Sequence, residues 1–271
     1  MERSVRCGAG GRFRQRQEAC EGNSLRATHP HLARLDACDN PAMHIGLIGG
    51  IGPAATVTYY ERLTRKVREA GRRLELTIVQ ADVDELIANG IADRRQEQAA
   101  VYAALIARLK AAGAECAAIT SIGGHFCFAE TERVSPLPLV SAVAPLDRHL
   151  ADTGLRRVGL LGTEIVMRSR LYGQLIRTEA CAPAGDLVAL GRIYDHVAAS
   201  GTCTDEQRAA LFEVGRRMVK EQGAEAVVLA GTDLGLAFAG YDPGYPVVDA
   251  LDVHVAVLAD LAMDRTTPDR Q

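Results

Sequence analysis

The chain has no tryptophan, and aromatic residues make up only 4% of its 271 positions. Its interior must therefore be aliphatic, and a hydrophobic share of 48% is enough to build a large one. No apolar run approaches the roughly 18–20 residues that cross a bilayer, so no membrane partner is expected. Charge of neither sign dominates: 31 basic against 34 acidic residues give a net −3. The body shows no basic patch, so no nucleic-acid partner is expected. The seven cysteines (Cys7, Cys20, Cys38, Cys116, Cys127, Cys181, Cys203) are odd in number, irregularly spaced and without a Cys-x-x-Cys pair. With no secretory signal pattern, this reads as a reduced cytoplasmic protein, not a disulfide scaffold, and no metal site is expected.

What is present begins at residue 43. Residues 1–42 carry seven arginines and five acids, about +2, which leaves −5 for the remainder. They show neither helical nor strand periodicity and read as a disordered extension upstream of a start at Met43. From His44 the pattern changes. His44 to Gly50 (HIGLIGG) is a short apolar run ending in glycine, the mark of a buried parallel strand entering a tight loop. Helices are predicted over Thr56 to Arg72 and Arg94 to Ala112, with strands at Leu74 to Ala81, Cys116 to Ser121 and Leu137 to Val140. The order then restarts. Arg157 to Thr163 (RVGLLGT) repeats the opening strand and loop, and helices are predicted over Ser169 to Arg177 and Asp205 to Gln222. Ala224 to Ala230 matches Cys116 to Thr120, each after a long helix and an Ala-Gly-Ala or Gln-Gly-Ala turn. A last helix is predicted from Ala250 to Met263. The duplication implies an α/β fold of two pseudo-symmetric lobes with parallel sheets. The expected division is 43–147 plus 246–271 for the first lobe and 148–245 for the second. Ligands of parallel sheets collect at strand C-termini, so the active-site cleft is expected between the lobes.

Four loops follow strands and should line that cleft. The first, Gly49 to Thr56 (GGIGPAAT), lets backbone N–H groups approach a ligand at a helix start, where a carboxylate is the natural guest. Taken alone, a Gly-rich loop reads first as a tight strand–helix turn, and this one lacks the GxGxxG of a dinucleotide loop. The second, Thr120 to Phe128 (TSIGGHFCF), brings a hydroxyl, an imidazole and a thiol together. The third is Gly162 to Arg168, and the fourth is Ala230 to Leu234 (AGTDL). Candidate proton carriers are Ser121, His125, Cys127 and Asp233. Three of them have a plainer reading: Cys127 as a small buried hydrophobe, His125 as a hydrogen-bonding support, Asp233 as a helix N-cap. Cys116 lies within a strand and His254 on a helix, both read as structural. Gly50, Gly52, Pro53, Thr56, Arg94, Gly123, Thr163, Gly231 and Thr232 join Ser121 as candidates for binding a small carboxylate or amino acid.

These motifs together resemble the aspartate/glutamate racemase superfamily. Ile45 to Thr56 followed by Tyr59 and Tyr60 resembles the opening of aspartate racemase-type proteins. Ala92-Asp93-Arg94 is similar to their "PDR" element, Val158 to Thr163 with Tyr172 to the start of their second half, and Asp249 with Val253 and His254 to their C-terminal "D…IHA" segment. The resemblance runs from about 44 to 262. It implies a cofactor-independent, PLP-independent isomerase, a homodimer, and a substrate carboxylate bound by Arg94. It also implies two cysteines that move the α-proton on opposite faces of the substrate, since such a weak acid needs a base on one side and an acid on the other. In register, the first ("CNTxH"-like) falls on Ser121 with the loop histidine at His125, and the second ("GCTE") on Gly231. Neither position holds a thiol. Serine needs an activating neighbour, and glycine carries no proton. Glu164 stands where aspartate-specific members often carry a cation, with Arg168 one turn on as a compensating charge. A racemase-like isomerase is expected; the alternatives are a one-sided lyase, decarboxylase or isomerase, or a carboxylate-binding protein.

Overall fold

The computed structural model describes residues 43–264. The expected extension, 1–42, lies outside the described residues. The first half runs β1 (His44–Gly49), α1 (Pro53–Glu69), β2 (Glu75–Gln80), α2 (Val83–Ile91), α3 (Arg95–Ala111), β3 (Cys116–Ile119), a 3-10 turn at Gly123–Cys127, α4 (Phe128–Val134), β4 (Leu139–Val140) and α5 (Val143–Asp152). The second runs β5 (Arg157–Leu161), α6 (Glu164–Arg168), a 3-10 turn at Leu171–Gly173, β6 (Glu179–Cys181), α7 (Leu187–Ser200), α8 (Asp205–Gln222), β7 (Ala226–Leu229), a 3-10 turn at Thr232–Leu234, α9 (Gly235–Phe238), β8 (Val247–Asp249) and α10 (Ala250–Asp264).

The two halves build two all-parallel four-stranded sheets, ordered β2-β1-β3-β4 and β6-β5-β7-β8. This is the duplication read from the sequence. The correspondence reaches single hydrogen bonds. Glu115 N–H donates to His44 O and Glu225 N–H to Arg157 O, both at 2.8 Å. At the other strand ends, Thr120 N–H donates to Ile48 O (3.0 Å) and Ala230 N–H to Leu161 O (2.7 Å). Ser121 and Gly231 are therefore the matching first residues beyond the two ladders. β1 and β7 are buried over nearly their whole length because helices cover both faces of each sheet, which is why they read as unbroken apolar runs.

The covering helices are exchanged between the halves. Val143, Leu146 and Leu150 of α5 pack on Val158, Leu160, Ala226 and Val228 of the second sheet. Leu251, Val255 and Leu258 of α10 pack on Ile45, Leu47, Cys116 and Ala118 of the first, beside Tyr59 and Leu63 of α1. β8, inside the segment 246–271 grouped by sequence with the first lobe, hydrogen-bonds to β7 in the second sheet.

One predicted element is absent. Ser169 to Arg177 is not a helix: Arg170, Leu171 and Tyr172 take φ values of 53°, 58° and 57°. Side chains capture the amides that a helix would use. Ser169 Oγ accepts from Tyr172 N–H (3.0 Å), and the Asp147 carboxylate accepts from the N–H groups of Ile176, Arg177 and Thr178 at 3.1–3.2 Å. The sequence pattern also left α2, α4, α5, α6, α7, α9, β6 and β8 unassigned.

The helix exchange makes each sheet depend on the other half. Leu150→Ala is expected to destabilise the fold by about 2–5 kcal/mol and to leave one unfolding transition. Urea titration followed by far-UV circular dichroism tests this, since no tryptophan reports. Two separated transitions would show that the halves unfold independently.

Candidate active site

The site is organised by the first turn of α1. Gly50 leaves β1 with φ at 89°, and a side chain there would collide with Gln80. Its N–H donates to Thr56 Oγ1 (2.9 Å), and Thr56 Oγ1 donates to Gly52 O (3.2 Å). Pro53, exposed at the first helical position, starts the helix with its φ already helical. The N-cap is Gly52, which has no side chain to satisfy the free amides. From the first-half strand end, Thr120 is fully buried, donates to Ile48 O (2.9 Å) and lies 3.2 Å from Thr56 Oγ1. Ser121 follows it, 8% exposed, its Oγ accepting from Gly124 N–H at 3.3 Å.

The missing cap comes from the second half. Asp233, 2% exposed, accepts from Ala55 N–H through Oδ1 (2.9 Å) and from the Tyr194 hydroxyl through Oδ2 (2.9 Å). Ala55 is the third residue of α1, the amide that a local N-cap side chain would take. A Cβ on Gly52 would lie 2.6 Å from Asp233 Oδ2, so glycine is needed for the carboxylate to approach. Burial raises the Asp233 pKa; the bonds from Tyr194 and Ala55 oppose this. Burial also lifts the Tyr194 phenol well above its ordinary range, reinforced by the Asp233 charge. Gly231 is tight against Tyr194, whose ring occupies the space where a residue-231 side chain would begin. Thr232, between Gly231 and Asp233 in the chain, is buried. Both strand-end loops thus reach α1: Thr120 through Thr56, Asp233 through Ala55.

The other candidates are placed differently. His125 is fully buried with both ring nitrogens held by main chain. Nδ1 pairs with Ser121 O (2.7 Å), and Nε2 lies 3.1 Å from Ala142 N–H, which must donate to it. That fixes a neutral tautomer with its proton on Nδ1. Burial pushes its pKa down to about 4, partly offset by the bond to Ser121 O. Held this way, the ring shapes the Ser121 loop. Cys127 closes the same turn. It is fully buried among Tyr102, Ile106 and Phe126, and burial pushes its thiol up to about 11. Gly123 gives its carbonyl to the Tyr172 hydroxyl (2.9 Å), while Gln174 donates to His125 O (3.1 Å), so the irregular segment of the second half straps the first-half loop. Thr163 caps α6 by accepting from Val166 N–H (3.3 Å), and Glu164 is paired with Arg168 at 2.5 Å. Arg94 is exposed at the N-cap of α3; α2 and α3 both pack against the Gly123–Cys127 turn. Sequence reasoning missed Tyr194, which in isolation is one more apolar-face residue of α7.

A groove of about 660 Å³ lies elsewhere, between α5, β8 and α10, walled by Arg148, Asp152, Asp252 and Asp260. It contains none of the residues above, so it is not the expected cleft. Among the described residues, no group of three or more His, Cys, Asp or Glu side chains is arranged to hold a metal, and no helix is long and apolar enough to cross a membrane.

Comparison with known proteins agrees with the fold. The model of the Asp/Glu/Hydantoin racemase family matches residues 48–258. The chain belongs to this family. A candidate Asp/Glu racemase from Yersinia pestis superposes with a TM-score of 0.70 at 22% identity, over 82% of this chain and 100% of that one. An aspartate racemase homologue from Pyrococcus horikoshii gives 0.66 at 27%, over 82% and 99%. The aspartate racemase of Picrophilus torridus gives 0.66 at 21%, over 81% and 94%. Within this racemase family, Ser121 and Gly231 occupy the two matching strand ends of the duplicated fold.

Two outcomes test this geometry. Gly231→Cys is expected to destabilise the fold by about 1–3 kcal/mol through overlap with Tyr194, and Tyr194→Ala in the same chain to recover part of that loss. Additive losses in urea titrations would refute the overlap. Second, burial holds His125 neutral down to about pH 4, and burial together with His125 holds His254 neutral down to about pH 3. The unfolded chain protonates both near pH 6.5, so it binds more protons below that pH. Stability is therefore full above pH 6.5 and falls as pH drops, by up to about 1.4 kcal/mol per pH unit for each histidine. A flat urea midpoint between pH 6.5 and 5 would contradict this.

Proposed function

We propose that this protein is a cofactor-independent isomerase that moves a proton at a carbon next to a carboxylate, as an amino-acid racemase does. The observation that carries the reading is the convergence of the Ser121 and Asp233 loops on one helix start from opposite halves of a racemase-family fold. In this reading the 49–53 loop and Thr56 hold the substrate's carboxylate, and Arg94 binds a second acidic group. Gly123, Thr163 and Thr232 shape the walls. Ser121 serves one face of the α-carbon and Asp233 the other. The substrate is an amino acid or related carboxylate, the assembly a homodimer, the setting cytoplasmic.

A second reading is supported by the chemistry of the two faces. Gly231 offers no proton carrier, and Ser121 Oγ meets a backbone N–H, not a base. A one-sided reaction, with proton removal and return on a single face, demands less of such a site.

Exchange of α-protons in D2O separates these readings when followed by NMR over a panel of aspartate, glutamate and their analogues, both enantiomers of each. Exchange with inversion supports the racemase; exchange with retention supports the one-sided enzyme. Binding without exchange across the panel would favour a carboxylate-binding protein. Ser121→Ala is expected to lower inversion by roughly 10²–10⁴-fold; unchanged inversion would remove Ser121 from the chemistry. Cys127→Ala is expected to leave exchange intact.

A further inference from the structure

We propose that Tyr194 is the proton carrier on the second-half face of the site, relaying the substrate α-proton to and from Asp233. This rests on the function proposed above and assigns that face to a residue outside the loop motifs. Three observations lead to it. First, the Tyr194 ring fills the space in which a side chain at position 231 would begin. It thus stands directly over the first residue beyond the second-half ladder. Second, both oxygens of Asp233 are engaged: Oδ1 accepts from Ala55 N–H and Oδ2 from the Tyr194 hydroxyl. The Tyr194 hydroxyl, 2.9 Å from Oδ2, therefore offers a ready proton path to Asp233. Third, α7 packs against both the Thr232–Leu234 turn and α1, so Tyr194 stands where the two halves meet.

The step balances without an outside reagent. The Cα–H bond breaks, its proton bonds to Tyr194 Oη, and the phenolic proton moves to Asp233 Oδ2. The electron pair stays on the substrate, delocalised into its carboxylate. The reverse sequence returns a proton to carbon. Solvent restores the protonation states when the other face has supplied the returning proton. Burial favours the starting arrangement of this relay, since it keeps the phenol protonated beside the carboxylate.

The alternative is that Tyr194 only fills space and orients Asp233. Tyr194→Phe keeps the ring and removes the hydroxyl. In D2O, this variant is expected to lose exchange of one enantiomer by about 100-fold or more, with KM within about threefold. In a two-sided enzyme the other enantiomer still exchanges through the Ser121 face. Asp233→Asn is expected to reproduce the same one-sided loss, and provides the test if the phenylalanine variant folds poorly. Undiminished exchange in Tyr194→Phe would overturn the proposal. So would a loss equal for both enantiomers of a two-sided enzyme, or a matching rise in KM, because a packing role predicts either. Failure of the underlying reading is distinct: the wild type would then exchange no acid in the panel.

Discussion

The site depends on one buried carboxylate. Asp233 reaches across 178 residues of sequence to cap a helix that cannot cap itself. The constraint propagates in both directions. Gly52 must lack a side chain for the carboxylate to reach the helix start. The carboxylate then holds the Tyr194 hydroxyl, and the Tyr194 ring lies where only glycine fits at position 231. Gly52, Asp233, Tyr194 and Gly231 therefore form one mechanical unit. A buried charge placed this way is tolerated because two donors and the positive end of a 17-residue helix face it.

The same interdependence holds at the scale of the halves. Each half forms a four-stranded parallel sheet, but part of its cover comes from the other half's final helix, α5 on the second sheet and α10 on the first. The Tyr172 and Gln174 bonds to the first-half loop add a strap. The strand-end loops are thus held in register by packing far from the chemistry. Such placement would matter for the proposed proton transfer at carbon, which tolerates little misalignment. The buried histidines serve this placement. His125 links Ser121 O to Ala142 N–H, and His254 Nδ1 pairs with the Tyr59 hydroxyl at 2.8 Å between α10 and α1.

Much of the architecture was legible in the sequence. The apolar runs at His44 and Arg157, each ending in glycine, mark strands buried on both faces, and their repetition announces two similar sheets. The loop motifs located the two matching strand ends. The segment Ser169 to Arg177 misled because its composition suits a helix, while Asp147 claims its amides from 29 or more residues away. The surroundings of His125 and Cys127 were not legible for a related reason. A polar group just past a strand looks available, but whether it points at solvent, substrate or main chain is set by neighbours such as Ala142 and Thr131 that no local pattern names.

The sequence by itself determined the fold class, the duplication and the absence of a thiol at Ser121 and Gly231, because these follow from periodicity and residue identity. Only the tertiary structure decided which polar groups meet. It turned Asp233 into the cap of a helix in the other half, neutralised His125 between two backbone groups, and brought Tyr194 over Gly231. The physical reason is range. Hydrophobic periodicity is written within a few turns of chain, whereas a hydrogen bond is decided at about 3 Å between residues that only folding brings together.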